Sequence, residues 1–355
     1  MRWIRSSRRP WRIVAFATLL TVISAGAISA APAAQVPTLN PFSMPRIPAQ
    51  GIAVAEGKAV VLVGLDRRVI GRLRGFVVVN SNSGGRLGAI TDADPALVVL
   101  QGPRGRGWML DGAGLRPLDP SRVPLPGGAT LSVSKAHAPD FEYRVTVREG
   151  HRVLASGRPF AVPIGAGGRI LMTRRVATDL ATGRQWRPPS PAQWTGGLGD
   201  VGRGCTPAGI AYGRIIAICH DLERAPGDPS NSVVRVYAIG STGVATRLGP
   251  AFTNGFGAQA AWLSPNGEYV AAQLAEPCGP SVSIVASIRH AVMRIVPAAD
   301  TLYGWSADGK LIAYVAPVWN GDCDRSKPGA YLIDPATLKR SLIRTASDFA
   351  AWGSK

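Results

Sequence analysis

The chain is short of acid, lysine, histidine and sulfur. Its 355 residues hold 22 Asp and Glu against 40 Lys and Arg, a formal charge of +18 at pH 7. Lysine appears only at Lys58, Lys135, Lys310, Lys327, Lys339 and Lys355, so arginine supplies the other 34 cations. The four histidines, His137, His151, His220 and His290, lie far apart, and no Cys-x-x-Cys occurs. That spacing excludes the usual structural zinc sites. There is no Gly-x-Ser-x-Gly, which excludes a serine hydrolase of the nucleophile-elbow type. Gly197-Leu-Gly-Asp-Val-Gly202 spells a dinucleotide fingerprint. It follows a proline-rich stretch rather than a strand and opens no helix, so it reads as a loop. Asp92 and Asp94, and Asp322 and Asp324 beside Asn320, are close enough in sequence for a hard cation. Neither group has the ligand count or loop length of a cation motif, and no cofactor or metal is expected. Carboxylates paired across the fold for glycoside cleavage are a tertiary property that the sequence leaves open.

Long apolar runs are also missing, with one exception. Arg2, Arg5, Arg8, Arg9 and Arg12 precede an uncharged run over 13–31 that closes in small residues. This is the layout of a secretory signal. The run is long enough to remain as an anchor if it is not cleaved, which would be the chain's one membrane contact. Residues 1–31 are therefore read as signal peptide or signal anchor, and the protein as exported, either secreted or anchored outside the cytoplasm. Residues 32–50 contain five prolines and read as an extended linker. The five leader arginines have no acids among them, so the remainder keeps +13. Its arginines are scattered, which fits compositional bias. They also fit attraction to acidic envelope polymers or anionic lipid. Export makes nucleic acid a poor partner.

All four cysteines follow residue 200: Cys205, Cys219, Cys278 and Cys323. In an oxidising compartment they imply two disulfides. Cys205 and Cys219 flank a turn at Tyr212-Gly213-Arg214, and Cys278 and Cys323 follow matching strands. The pairing expected is 205–219 and 278–323.

From residue 51 onward the pattern is β. Val60-Val-Leu-Val63, Phe76-Val-Val-Val79 and Leu97-Val-Val-Leu100 are short apolar runs bounded by turn residues. A strand–polar turn–strand unit recurs at Leu65–Ile70, Leu110–Leu115, Thr178–Gly183 and Ile333–Leu338, with looser copies between. Turn centres at 66, 111, 150, 181, 241, 289 and 335 are separated by 45, 39, 31, 60, 48 and 46 residues. A mean near 45 is the period of a four-stranded propeller blade. The 31-residue interval is tight for a blade, so six and seven blades both fit. A β-sandwich with a smaller β domain is the alternative that the period disfavours.

The sharpest repeat lies near the C-terminus. Ala261-Trp-Leu-Ser-Pro-Asn-Gly-Glu-Tyr-Val-Ala-Ala272 is followed by Gly304-Trp-Ser-Ala-Asp-Gly-Lys-Leu-Ile-Ala-Tyr-Val315, and Phe349-Ala-Ala-Trp352 begins a third copy. Trp262, Trp305 and Trp352 hold matched positions as packing anchors, while Gly267 and Gly309, after Asn266 and Asp308, supply the turns. The motif resembles the WD40-like repeat of TolB and related exported β-propellers, Trp-Ser-Pro-Asp-Gly-Lys followed by alternating apolar residues. Leu263 is inserted in the first copy, Asn266 replaces Asp, and Ala307 replaces Pro. TolB carries an α/β domain ahead of its propeller that residues 32–51 cannot hold.

The fold expected is thus all-β: a propeller over 51–355 of six or seven four-stranded blades, closed by pairing Phe349–Trp352 with strands that begin at Ile52. The resemblance implies a non-enzymatic envelope scaffold that binds an exported protein or an acidic polymer. The alternative is a propeller hydrolase or lyase acting on a glycan or lactone at the channel mouth. Trp319, with Asp322 and Asp324 in the loop after it, is the expected ligand contact, and Trp194 a further surface contact.

Overall fold

The computed structural model describes residues 36–353, apart from 81–82, 139–140, 160–161, 196–203, 221–232, 254–257, 275–281, 291, 298 and 316–327. Among the described residues twenty-nine strands form seven sheets. Blade I contains β1 (Gly51–Glu56), β2 (Ala59–Gly64) and β3 (Val69–Arg74). Blade II contains β4 (Val77–Val79), β5 (Val98–Gln101), β6 (Gly107–Asp111) and β7 (Gly114–Pro117), with helix α1 (Gly85–Ala93) between its first two strands. Blade III is β8 (Val123–Pro124), β9 (Thr130–Ala138), β10 (Phe141–Glu149) and β11 (Arg152–Gly157). Blade IV is β12 (Ile164–Gly165), β13 (Ile170–Met172), β14 (Ala177–Asp179) and β15 (Gln185–Trp186).

Blade V has five strands: β16 (Gln193–Trp194), parallel to β17 (Gly204–Ala211), then β18 (Arg214–His220), β19 (Val233–Ile239) and β20 (Ala245–Thr253). Blade VI is β21 (Ala258–Leu263), β22 (Tyr269–Leu274), β23 (Val282–Ser287) and β24 (Val292–Ile295). Blade VII is β25 (Ala299–Trp305), β26 (Leu311–Val315), β27 (Gly329–Ile333) and β28 (Arg340–Thr345). The last strand, β29 (Phe349–Trp352), pairs antiparallel with β1 and completes blade I, with Gly51 opposite Trp352 and Val54 opposite Phe349. First strands of neighbouring sheets lie side by side, β12 by β17, β17 by β21, β21 by β25 and β25 by β29. The architecture is a closed seven-bladed β-propeller.

All seven turn centres read from the sequence fall in the hairpin between the last two strands of a blade, one per blade. The tight 31-residue interval leads into blade IV, whose strands are two or three residues long. The 60-residue interval leads into blade V, which has strands of seven to nine residues and the added β16.

Stacking buries both faces of a sheet, which is why the strands read as continuous apolar runs. All six residues of β2 are buried. Val60 and Leu62 face blade II, packing with Val98, Leu100 and Trp108, while Val61 and Val63 face blade VII at Ile312, Ala330 and Ile343. In β18, Ile216 and Ile218 face blade VI while Ile215 and Ala217 face blade IV. The two-residue alternation of a strand thus serves two neighbours at once.

Helix α1 was not expected. It has no acid in its first turn and no side-chain cap. Ala89, Ile90 and Ala93 pack with Leu131, Val133, Val145 and Val147 of blade III, so tertiary burial rather than helical propensity holds it. Residues 36–50, expected as linker, lie against the ring. Leu39 donates to Arg72 O at 2.8 Å and Arg72 donates to Pro37 O at 2.8 Å, covering the outer edge of β3. Leu39 and Ile47 are buried among blade I and II side chains.

The repeat motif works between blades. Trp305, fully buried, donates its indole N–H to the Trp262 carbonyl one blade back at 3.1 Å. Trp194 does the same to Trp186 O at 3.0 Å, and Trp352 to Pro48 O at 3.0 Å. At the closure Gln50 donates to Gly353 O at 2.7 Å and accepts from Ala307 N at 2.7 Å, so one side chain ties blade VII's motif turn to blade I. Trp305→Ala is expected to lower stability by about 3–5 kcal/mol. Trp305→Phe, which keeps the ring but leaves the Trp262 carbonyl without its donor, should cost about 1–2 kcal/mol. Urea unfolding of the two variants checks both, and a Phe variant as stable as the native chain would show that the indole bond contributes nothing.

Candidate functional site

The motif residues are structural. Ser306 Oγ donates to Asp308 Oδ1 at 2.5 Å and accepts from Lys310 N at 2.9 Å, and Gly309 takes φ 78° to close the turn. Ser264 Oγ donates to Asn266 Oδ1 at 2.7 Å and accepts from Tyr269 N at 2.9 Å, with Gly267 at φ 70°. Asn266 therefore does locally what Asp308 does. The extra Leu263 packs toward blade V and leaves half-buried Trp262 facing blade VII. The Ser306 hydroxyl and then Lys310 hold Asp308 below the usual carboxylate range, as expected of a turn acid rather than a proton donor.

Cys205 and Cys219 form a disulfide across directly opposed positions of β17 and β18, both fully buried. Cys278, Cys323, Trp319, Asp322 and Asp324 lie outside the described residues, as does the loop 197–202. Trp194 is not a surface contact: it is buried between blades IV and V, where its ring packs with Trp186, Ile215 and Ala217. Strand β16, too short to read as a strand in the sequence, puts it there. The histidines are not brought together. His137 and His220 sit at strand ends of blades III and V, while His151 and His290 occupy outer turns of blades III and VI. Among the described residues no group of three His, Cys, Asp or Glu could hold a metal ion. No helix of the described residues is long and apolar enough to cross a membrane.

Three acids, Asp92, Asp94 and Asp348, are raised above the usual carboxylate range by burial. Asp94 follows α1 and is 1% exposed. Its Oδ1 accepts from Ala96 N at 3.1 Å, while Oδ2 has no hydrogen-bond partner among the described residues and faces the backbone of Gly168 in blade IV, where an added Cβ would sit 2.9 Å away. Burial raises its pKa to about 7, against a smaller lowering by the Ala96 bond. Burial also raises half-buried Asp92 to about 6. Enclosed in this way, Asp94 can reach no substrate.

A cavity of about 460 Å³ lies at the rim, between residues 41–47 and the outer turn of blade II. Phe42, Met44, Pro45, Ile47 and Leu115 line it with Arg46 and no carboxylate. Phe42 is 76% exposed and meets Trp108 edge-on at 5.2 Å.

A group of exposed cations stands on the face where each blade's second strand turns into its third. Lys58 is in the β1–β2 turn, Arg74 ends β3, and Arg104 and Arg106 are in the β5–β6 turn. Backbone contacts draw these turns together: Gly75 N donates to Lys58 O at 2.9 Å, and Gly75 abuts Pro103, which a Cβ would meet at 3.4 Å. Gly102 N donates to Arg106 O at 2.8 Å and sets Arg104 at the tip with φ 61°. None of the four cations meets a carboxylate among the described residues. The nearby Glu56 is already occupied by Arg72 at 3.0 Å and Arg344 at 2.6 Å. The sequence showed these arginines as scattered because they are 16 to 48 positions from Lys58, and only blade stacking assembles them.

No protein-family model matches the chain, and no curated protein sequence matches it. Among solved structures the ring is similar to TolB from Acinetobacter baumannii, at 13% identity and TM-score 0.39 over 86% of this chain and 83% of that one. It is similar to an oligogalacturonate lyase in complex with manganese, at 14% identity and TM-score 0.40 over 69% of this chain and 71% of that one. It is similar to a prolyl endopeptidase at 10% identity and TM-score 0.41, over 85% of this chain but 42% of that one. These likenesses carry no argument about chemistry. The ring is established by its own strand pairing.

Asp94 predicts a pH dependence. The fold holds its carboxyl neutral, with the pKa raised to about 7 from 3.8. The unfolded chain therefore holds fewer protons between these values, and stability falls as pH rises from about 4 to about 7. The full effect is on the order of 4 kcal/mol. Asp94→Asn should match the native chain near pH 4 and exceed it above pH 7, read as the thermal midpoint across pH. Parallel profiles for the two proteins would refute the assignment.

Proposed function

We propose that this propeller is an exported, non-enzymatic binding protein of the cell envelope, and that its blade I–II face holds an acidic polymer. The observation that carries the reading is the group Lys58, Arg74, Arg104 and Arg106: exposed, without a carboxylate partner among the described residues, and drawn together by short turns. Cations on a rigid platform need no reorganisation to meet a chain of negative charge, and guanidinium matches carboxylate and phosphate oxygens in pairs. The buried Cys205–Cys219 disulfide fits an oxidising compartment, and the N-terminal pattern of residues 1–31 supplies a route there. For the alternative, a hydrolase or lyase, an acid of raised pKa would have to reach a substrate. Asp94 is enclosed, and none of the acids of raised pKa, Asp92, Asp94 or Asp348, lines the rim cavity, which carries Arg46.

The test is titration of the full chain with sodium poly-L-glutamate and with sodium polygalacturonate at several salt concentrations. Replacing Lys58, Arg74, Arg104 and Arg106 together by Ser should weaken polyanion binding by about tenfold or more, some 1.4 kcal/mol. It should also flatten the salt dependence, since fewer counterions are displaced. A four-fold variant that folds normally and binds as tightly as the native chain would refute the reading.

A further inference from the structure

On the opposite face the β17–β18 hairpin ends in a two-residue turn, Tyr212-Gly213, with Ala211 paired to Arg214. Both turn residues are left-handed, Tyr212 at φ 50° and Gly213 at φ 70°. Such a turn favours Asn-Gly or Gly-Gly, and a bulky side chain at its first position is strained. Strain of this kind is ordinarily held in place by packing, yet Tyr212 is 95% exposed. The fold therefore gains nothing from the phenol ring.

The turn that carries the ring is flanked by cations. Arg184 lies beside the turn, where a Cβ on Gly213 would meet its guanidinium at 3.0 Å, and it stacks over Trp186 at 5.1 Å. Arg214 reaches Thr246 Oγ1 at 3.4 Å. Both guanidiniums are thus held by neutral partners and keep their charge. The acid at the head of the blade IV outer turn, Asp179, is 2% exposed and engaged by Arg169 through two bonds of 2.7 and 2.9 Å. Val244, 69% exposed, stands in the β19–β20 outer turn of the same blade, whose Gly240–Val244 backbone bond precedes Thr246. At the other end of the hairpin the Cys205–Cys219 disulfide fixes the two strands together.

We propose that this hairpin tip is a protein-docking surface, with Tyr212 as its anchor, Arg184 and Arg214 as its charge contacts, and an acidic polypeptide segment as its partner. An exposed tyrosine flanked by arginines on a preorganised support has the composition of an interface hot spot. The tip protrudes rather than cradles. That shape suits insertion into a partner's surface better than support of a sugar chain, which needs a platform or groove. The surface lies on the face opposite the Lys58–Arg106 group and stands independently of the function proposed for it.

The test uses the random polypeptide poly(Glu,Tyr) as probe, titrated by fluorescence anisotropy. It is run against the native chain and against the chain lacking Lys58, Arg74, Arg104 and Arg106, so that loss of the other face cannot be mistaken for loss of this one. In the chain lacking the four cations of the other face, Tyr212→Asn should weaken binding about tenfold and Tyr212→Phe should retain most of it; in the native chain the tip's share of the binding should fall in the same way. Arg184→Gln with Arg214→Gln should weaken binding and lower its salt dependence. Asn tolerates the left-handed turn, so the melting temperature of Tyr212→Asn should equal or exceed that of the native chain and exclude misfolding as the cause. Unchanged affinity in Tyr212→Asn would overturn the proposal. So would sodium polygalacturonate binding with the same dependence on Tyr212, which would make the tip a glycan contact.

Discussion

Antiparallel pairing between β29 and β1 joins residues some 300 positions apart, and every blade depends on it. Stacked sheets bury each other only in a ring without a gap. Without this pairing, blade I would lose its innermost strand and expose Ile52, Val54, Val61 and Val63, now fully enclosed. An open ring would also present two unpaired strand edges to other chains. The closure is reinforced where it is most exposed to failure. Phe349 packs on Tyr303 of blade VII at 4.2 Å, Gln50 bridges both ends, and Trp352 bonds the backbone just ahead of β1.

The same economy of acids shapes the surface. Many carboxylates serve the fold: Asp66, Asp111, Asp179 and Asp334 each cap an outer turn by accepting a backbone N–H two residues on. Glu56 bridges arginines from blades I and VII. With acids drawn into turns and blade joints, chain geometry decides where the arginine excess accumulates. Lys58, Arg74, Arg104 and Arg106 gather because the short β1–β2 and β5–β6 turns meet at Gly75. Arg184 and Arg214 gather because blade IV's outer turn lies against blade V's first hairpin. Neither group uses a residue of the repeat motif, whose side chains turn inward to hold neighbouring blades.

Much of the ring was legible in the sequence. Asp-Gly and Asn-Gly turns, the recurring outer hairpins and the apolar runs are local features, set by residues within a few positions of one another. Local features survive in a linear reading, so the period, the strand content, the closing strand and the Cys205–Cys219 pair could be anticipated. The 31-residue interval stood out as irregular because blade IV is built from strands of two and three residues, too short for alternation to register. Helix α1 was hidden for a similar reason. Its sequence has no helical stripe, and only the blade III surface makes burial of Ala89, Ile90 and Ala93 favourable. Trp194 was read as surface because its strand, β16, exists only through parallel pairing with β17.

The sequence alone therefore determined that this is a chain of repeated β-hairpins with a large cationic excess, since turn chemistry, hydrophobic pattern and charge are properties of neighbours. Tertiary structure decided that the blades number seven. It also decided which tryptophans are buried, that Asp94 is sealed away, and which arginines stand together. Each of these depends on the stacking of one sheet against the next, and stacking brings together residues whose separation along the chain carries no trace of it.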